Sequence, residues 1–174
     1  MSEIIIQAIG FIGVAVFIAS YQMRSNRALF LFQLIGCLIF MAQFLILGAY
    51  TGALSLMINV LRNLLLLRIA DWEWVKSKVT LSMILLMLIA VTIYTWAGWL
   101  SLLPMLSVGI TSIGYWTNNA RKIRISQMFG SPCTLLYDAL ICSWGGVLNE
   151  TIALVSIVVS IYRFGWRNLA KTEA

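Results

Sequence analysis

The sequence contains no histidine and only two prolines in 174 residues. Without imidazole it can build neither a histidine metal site nor a histidine proton relay. Charge is nearly as scarce. Lys, Arg, Asp and Glu together make up 10% of the chain, against about 25% in an ordinary soluble domain. Asp and Glu number six, and away from the ends only Asp138 and Glu150 fall in or near an apolar run, with Glu150 opening the last one. That set is too sparse for paired-carboxylate hydrolysis. The three cysteines, Cys37, Cys133 and Cys142, lie inside apolar runs and lack zinc-ligand spacing. They read as small packing residues and suggest neither a metal site nor a disulfide. Alternating strands of about ten residues are missing, which excludes a transmembrane β-barrel. The opening Met-Ser-Glu-Ile-Ile-Ile has no basic n-region and no small-residue cleavage site, so the first apolar run reads as a retained helix, not a signal peptide. These absences point away from an enzyme and imply no metal and no cofactor.

What the chain has is apolar length. Hydrophobic residues make up 61% of it, and runs of about 20 residues recur, the length a helix needs to cross ~30 Å of hydrocarbon. Backbone groups in lipid must be satisfied internally, so these runs are helices. Seven spans are predicted, at 4–22, 28–48, 52–69, 80–98, 101–118, 127–145 and 148–164. The fold class is therefore an all-α polytopic membrane protein.

The charges provide an independent check of that count. Arg24 and Arg27 follow the first span; Arg68, Lys76 and Lys78 follow the third. Arg121, Lys122 and Arg124 follow the fifth, and Arg163, Arg167 and Lys171 close the chain. The turns after spans two, four and six hold no Lys or Arg. By the positive-inside rule the basic side is cytoplasmic, with the N-terminus outside and the C-terminus inside. Tyr50, Trp96, Trp99 and Trp144 then form an outer aromatic belt, and Tyr21, Trp72, Trp74, Trp116 and Trp166 an inner one. The net charge of +6 follows from this topology and does not imply nucleic-acid binding; the basic loops can touch anionic lipid headgroups.

Shifting the chain by 94 residues aligns spans one to three with spans five to seven without a gap. Tyr21 meets Tyr115, Gln33 meets Gln127, Gly36 meets Gly130, Tyr50 meets Trp144 and Gly52 meets Gly146. Two three-helix units of the same orientation need an odd helix between them, and span four is almost wholly apolar. The expected layout is three, one, three, a parallel repeat about an axis along the membrane normal. Residues 1–69 form the first repeat, 70–98 a cytoplasmic loop and linker helix, 99–164 the second repeat and 165–174 a cytoplasmic tail.

Each residue turns a helix by about 100°. Gly52, Ser55, Asn59, Arg62 and Asn63 thus share one arc of span three. Asn149, Ala153, Ser156, Ser160 and Arg163 share one in span seven, and Gln127, Ser131, Thr134, Asp138 and Cys142 one in span six. Pro104, Ser107, Thr111, Tyr115 and Asn118 do so in span five. Such faces point at one another, at water or at a ligand. At ~1.5 Å rise per residue, Asn59 and Asp138 both lie about 10 Å below the outer boundary and Arg62 about 5 Å deeper. Arg62 and Asp138 are therefore expected to approach each other, since a lone charge in hydrocarbon costs about 2.5–3.5 kcal/mol. Pro132 is expected to kink span six beside its polar stripe.

Two stretches, "QFLILGAYTGALSLMINVLRNLLLLR" (43–68) and "LLPMLSVGITSIGYWTNNARK" (102–122), with "GGVLNETIALVSIVVSIYRF" behind them, resemble the YgjV-like family of bacterial inner-membrane proteins over nearly the whole chain. The resemblance implies an inner-membrane location. The layout is also similar to the SWEET and PQ-loop transporters and to the nicotinamide-riboside (PnuC-type) carriers. That likeness implies a central site between the repeats for a small neutral solute, lined by an Asn from the third helix of each repeat. Asn59 matches in the first repeat; Ala153 or Ser156 stands there in the second. The Pro-Gln pair that ends the first helix of a PQ-loop repeat is replaced by Tyr21-Gln22 and Tyr115-Trp116.

Two functional classes follow. One is a facilitator or ion-coupled carrier for a small polar or anionic solute. Its site would gather Asn59, Arg62, Asn63, Asp138, Thr134 and Ser156 near the midplane, shaped by Tyr115, Tyr137 and Gln43. Arg62 favours a carboxylate- or phosphate-bearing solute, and Asp138 a cation or proton. The other is a non-transporting scaffold or assembly partner whose bundle is held by a dry Arg62–Asp138 clamp. Self-association is open in both.

Overall fold

The computed structural model describes residues 3–21, 26–68, 72–117 and 120–164. They form seven helices: α1 (Glu3–Tyr21), α2 (Asn26–Ile46), α3 (Tyr50–Leu67), α4 (Lys78–Tyr94), α5 (Leu102–Trp116), α6 (Ala120–Leu140) and α7 (Trp144–Phe164). Short 3-10 turns at Glu73–Lys76 and Trp99–Ser101 precede α4 and α5. There is no strand among the described residues. Three stretches, Glu3–Ser20, Tyr50–Leu67 and Trp99–Trp116, are long and apolar enough to cross a membrane; Leu31–Ile46, Lys78–Tyr94 and Trp144–Val159 are shorter apolar helices. Arg24, Asn118 and the 165–174 tail lie outside the described residues.

The first helices fall close to their expected bounds, but α6 and α7 are displaced. α6 begins at Ala120, not 127, and takes Arg121, Lys122 and Arg124 into its first turns. Long basic side chains can run along a helix end with their heads in water, so an apolar window opens later than the helix does. α6 also ends earlier than expected, at Leu140, and α7 begins at Trp144 instead of 148. The signal for that turn is missing from the sequence because a cysteine occupies its left-handed position. Cys142 has φ 58°; Ser143 N–H donates to the Asp138 carbonyl at 2.8 Å and Cys142 N–H to that of Ala139 at 3.3 Å. This is the Schellman pattern, which glycine usually completes. The α2–α3 turn repeats it: Gly48 has φ 72°, Ala49 N–H donates to the Phe44 carbonyl and Gly48 N–H to that of Leu45. The helix continues without interruption through Pro132, whose ring is exposed.

Six helices close a ring in the order α1, α2, α3, α5, α6, α7 and back to α1. The α1–α7 seam is tight because two glycines meet: a Cβ on Gly145 would lie 2.6 Å from the carbonyl carbon of Gly10. Gln7 locks the same seam. Its Nε2 donates to the Cys142 carbonyl at 2.8 Å, and its Oε1 accepts from Trp144 N–H at 3.2 Å. At the opposite seam Thr51 Oγ1 donates to the Thr95 carbonyl at 2.7 Å. Here α4 lies outside the ring, across α3 and α5, with Ile84 and Leu88 packed against Ile58 and Val108. Ser77 caps α4, accepting from Val79 N–H. A second core joins α1, α2, α3 and α6 through Val14, Phe40, Phe44, Ala53 and Tyr137.

Candidate functional site

The polar arcs of the ring helices converge on a partly open cavity of about 130 Å³. All six ring helices line it, and α4 does not. The space suits a few waters or one small solute. Phe17 enters from α1, Gln33, Cys37, Phe40 and Phe44 from α2, and Gly52, Ser55, Asn59, Arg62 and Asn63 from α3. Ser107, Thr111 and Tyr115 come from α5, Gln127, Ser131, Thr134, Tyr137 and Asp138 from α6, and Asn149, Glu150 and Ala153 from α7.

Arg62 is 5% exposed and does not pair with Asp138. Its guanidinium carbon lies 4.6 Å from the centroid of the Tyr115 ring. Nη1 donates to Thr111 Oγ1 at 3.2 Å and Ser112 Oγ at 3.3 Å, while Nε has no protein partner. The expected Arg62–Asp138 approach fails because of the turn at Cys142. With α6 ending at Leu140, Asp138 stands within one turn of that helix end, whereas Arg62 is more than three turns into α3. The charge of Arg62 is met by a ring face and hydroxyls, a favourable cation–π arrangement in a desolvated site. The tyrosine is itself fixed: Gln127 Nε2 donates to its hydroxyl at 2.8 Å, and Gln33 also bonds it. These two glutamines are the pair matched by the 94-residue offset.

The acidic end lies toward the α2–α3 and α6–α7 turns. Asp138 is 2% exposed and its Oδ1 has no protein hydrogen-bond partner. Gly146 packs directly on its carboxylate, where a Cβ would collide with Oδ2. One turn further along α7, Glu150 also lines the cavity, hydrogen-bonded by Ser131 and by Asn149 Nδ2 at 3.3 Å. The sequence reading put Glu150 at the mouth of its helix; the earlier start of α7 draws it inward. Tyr137 is held by the main chain, its hydroxyl accepting from Gly52 N–H at 3.0 Å. Ser107 and Thr134 hydroxyls bond each other across α5 and α6.

Seven of the expected site residues, Asn59, Arg62, Asn63, Asp138, Thr134, Tyr115 and Tyr137, meet at this cavity. Two do not. Gln43 is fully buried, but it sits between α1 and the α6–α7 turn, where Ser143 Oγ donates to its Oε1 at 3.2 Å. Ser156 is exposed on the outside of α7. Its counterpart Arg62 is buried against Tyr115, Thr111 and Ser112 of α5; α4 lies across the α3–α5 seam, and among the described residues no helix covers the α1–α7 seam. The buried face of α7 instead continues from Asn149 and Ala153 to Ile157. Glu150, Asn149, Gln33, Gln127 and Cys37 join the cavity lining without having been singled out for the site. Of these, the paired glutamines carried a readable signal, their match under the repeat offset.

Among the described residues, five of the seven buried side-chain atoms that lack a protein hydrogen-bond partner belong to cavity residues: Ser55 Oγ, Asn59 Oδ1, Arg62 Nε, Asn63 Oδ1 and Asp138 Oδ1. Buried polar groups are normally paired, so their gathering at one place marks it as the polar focus of the molecule. The family profile Imp-YgjV, described as a bacterial inner membrane protein, matches residues 4–168. The chain belongs to that family. No curated protein and no solved structure matches it. Inner-membrane location accounts for the outer surface of this Imp-YgjV protein, where Leu86 and Val158 are exposed at 65% and 60%. On a soluble protein such side chains would form adhesive patches; facing lipid they are at no disadvantage.

Proposed function

We propose that the chain is a carrier or facilitator for a small polar solute, bound where the six ring helices meet, and that it is not an enzyme. In this reading all seven helices span the inner membrane. The N-terminus is outside and the C-terminus cytoplasmic, since Arg68, Lys78, Arg121, Lys122 and Arg124 gather at one end of the bundle. The ring is read as two parallel three-helix repeats, α1–α3 and α5–α7, joined by α4 in a SWEET-like plan. The matching Schellman turns at Gly48 and Cys142 support a duplication, and so does the exchange of the α3–α5 seam for α7–α1 under the same offset.

The observation that carries the transport reading is the set of unpartnered polar atoms around the cavity. A dry structural clamp would satisfy its own groups, because leaving a buried polar atom unpaired costs about 1–3 kcal/mol. A solute site keeps them available to the solute. The test is uptake of a panel of small polar solutes by proteoliposomes, comparing the intact protein with Arg62→Ala and Asp138→Asn. Uptake of at least one solute, lost in both variants, is the expected result. No uptake of any solute, with variants that are merely less stable, would return the scaffold reading.

A further inference from the structure

We infer that the cavity recognises a dipolar solute, one that carries an ammonium group and a carboxylate separated by an apolar spacer. This inference rests on the carrier reading of the same site and names its solute class. The cavity is polarised along the bundle axis. Gly146 packs on the Asp138 carboxylate and Gly52 N–H donates to neighbouring Tyr137, so Gly52 and Gly146 mark one depth. Glu150 is one helical turn inward of Gly146, and Arg62 nearly three turns inward of Gly52. At 1.5 Å per residue the Glu150 and Arg62 backbones differ in depth by roughly 9 Å. Two carboxylates therefore line one end and a guanidinium the other. No ion pair joins Arg62 to Asp138, which leaves Arg62 Nε and Asp138 Oδ1 without protein partners although both residues are at least nine-tenths buried.

A solute bearing a single charge would address one end and leave the other uncompensated in a low-dielectric site, which is costly. A solute with adjacent charges, such as an α-amino acid, cannot span the separation. An ammonium among Asp138 and Glu150, with a carboxylate on the Arg62 fork, satisfies both. The cavity wall also includes Phe40, Leu56 and Val108, which can cover the methylenes of a spacer.

The test is equilibrium binding of radiolabelled ε-aminocaproate to the full-length protein in detergent, with pentylamine, caproate and glycine as competitors. The expected result is saturable binding, with each competitor at least about tenfold weaker than unlabelled ε-aminocaproate, the equivalent of one lost charge contact. In Arg62→Gln, pentylamine should compete as well as ε-aminocaproate. In Glu150→Gln combined with Asp138→Asn, caproate should do so. If a variant fails to fold, the competitor ranking on the intact protein still decides. Absence of saturable binding, or equal competition by pentylamine or glycine on the intact protein, overturns the inference. Proteoliposome uptake separates the two readings. Uptake of a neutral solute without ε-aminocaproate binding sinks the dipolar site and keeps the carrier. Binding of ε-aminocaproate with no uptake of any solute keeps the site and sinks transport.

Discussion

At the scale of single residues, the paired turns give the cleanest contrast. Gly48 and Cys142 occupy equivalent left-handed positions, with φ 72° and 58°. An L-residue is strained there by about 1 kcal/mol, and glycine is not. Cys142→Gly is therefore expected to raise stability by up to about 1 kcal/mol, partly offset by the greater freedom of glycine in the unfolded chain. Gly48→Ala should lower it by a similar amount. Tryptophan fluorescence during thermal unfolding in detergent measures both. Asp138→Asn tests the site itself. Breaking a buried ion pair costs about 3–5 kcal/mol, but among the described residues Asp138 has no cationic partner to lose. Its replacement should change stability by no more than about 1 kcal/mol while abolishing uptake. A loss of several kcal/mol would mean that the carboxylate has a structural partner after all.

At the scale of helices, packing follows from where small residues fall. The α1–α7 contact depends on Gly10 and Gly145, because a Cβ at 145 would sit 2.6 Å from backbone. Backbone cannot yield as a side chain can, so Gly145→Ala should destabilise by about 1–3 kcal/mol. Gly109→Ala is the matched control: its nearest neighbour is Leu88 Cδ2 at 3.8 Å, and alanine is the better helix former by up to about 1 kcal/mol. It should be neutral or stabilising in the same melting assay. Helix periodicity correctly picked the inward face of α3, since Gly52, Ser55, Arg62 and Asn63 are all buried. It misplaced Ser156 because the angular position of a residue does not say which side a neighbouring helix covers. The two seams are covered differently: α4 lies across α3 and α5, and among the described residues no helix lies across α1 and α7.

At the scale of the whole molecule, orientation is the property most open to direct measurement. The α6–α7 turn carries Cys142, which is exposed, while Cys37 is buried. With the N-terminus outside, this turn faces the periplasm. In a chain whose other cysteines are replaced, a membrane-impermeant maleimide added to spheroplasts should label Cys142. A chain retaining only Cys37 should stay unlabelled under the same conditions. Labelling of Cys142 only after the membrane is opened would invert the topology and with it the assignment of the acidic end to the outer side.

The amino-acid sequence alone determined the helical class, the membrane setting, the number of helices and most of the polar residues that face inward. Each of these depends on composition and on local periodicity, which every window of the chain carries in itself. Tertiary structure alone decided which polar groups meet. Arg62 rests on Tyr115 and two hydroxyls instead of Asp138 because the chain turns at Cys142 and ends α6 at Leu140, earlier than its apolar run implies. Glu150 enters the cavity for the same reason, and Gln43 is taken up by the α6–α7 turn. Such pairings depend on relative helix depth to within a turn, and depth is set by where turns fall and which helices pack together, neither of which a single segment records.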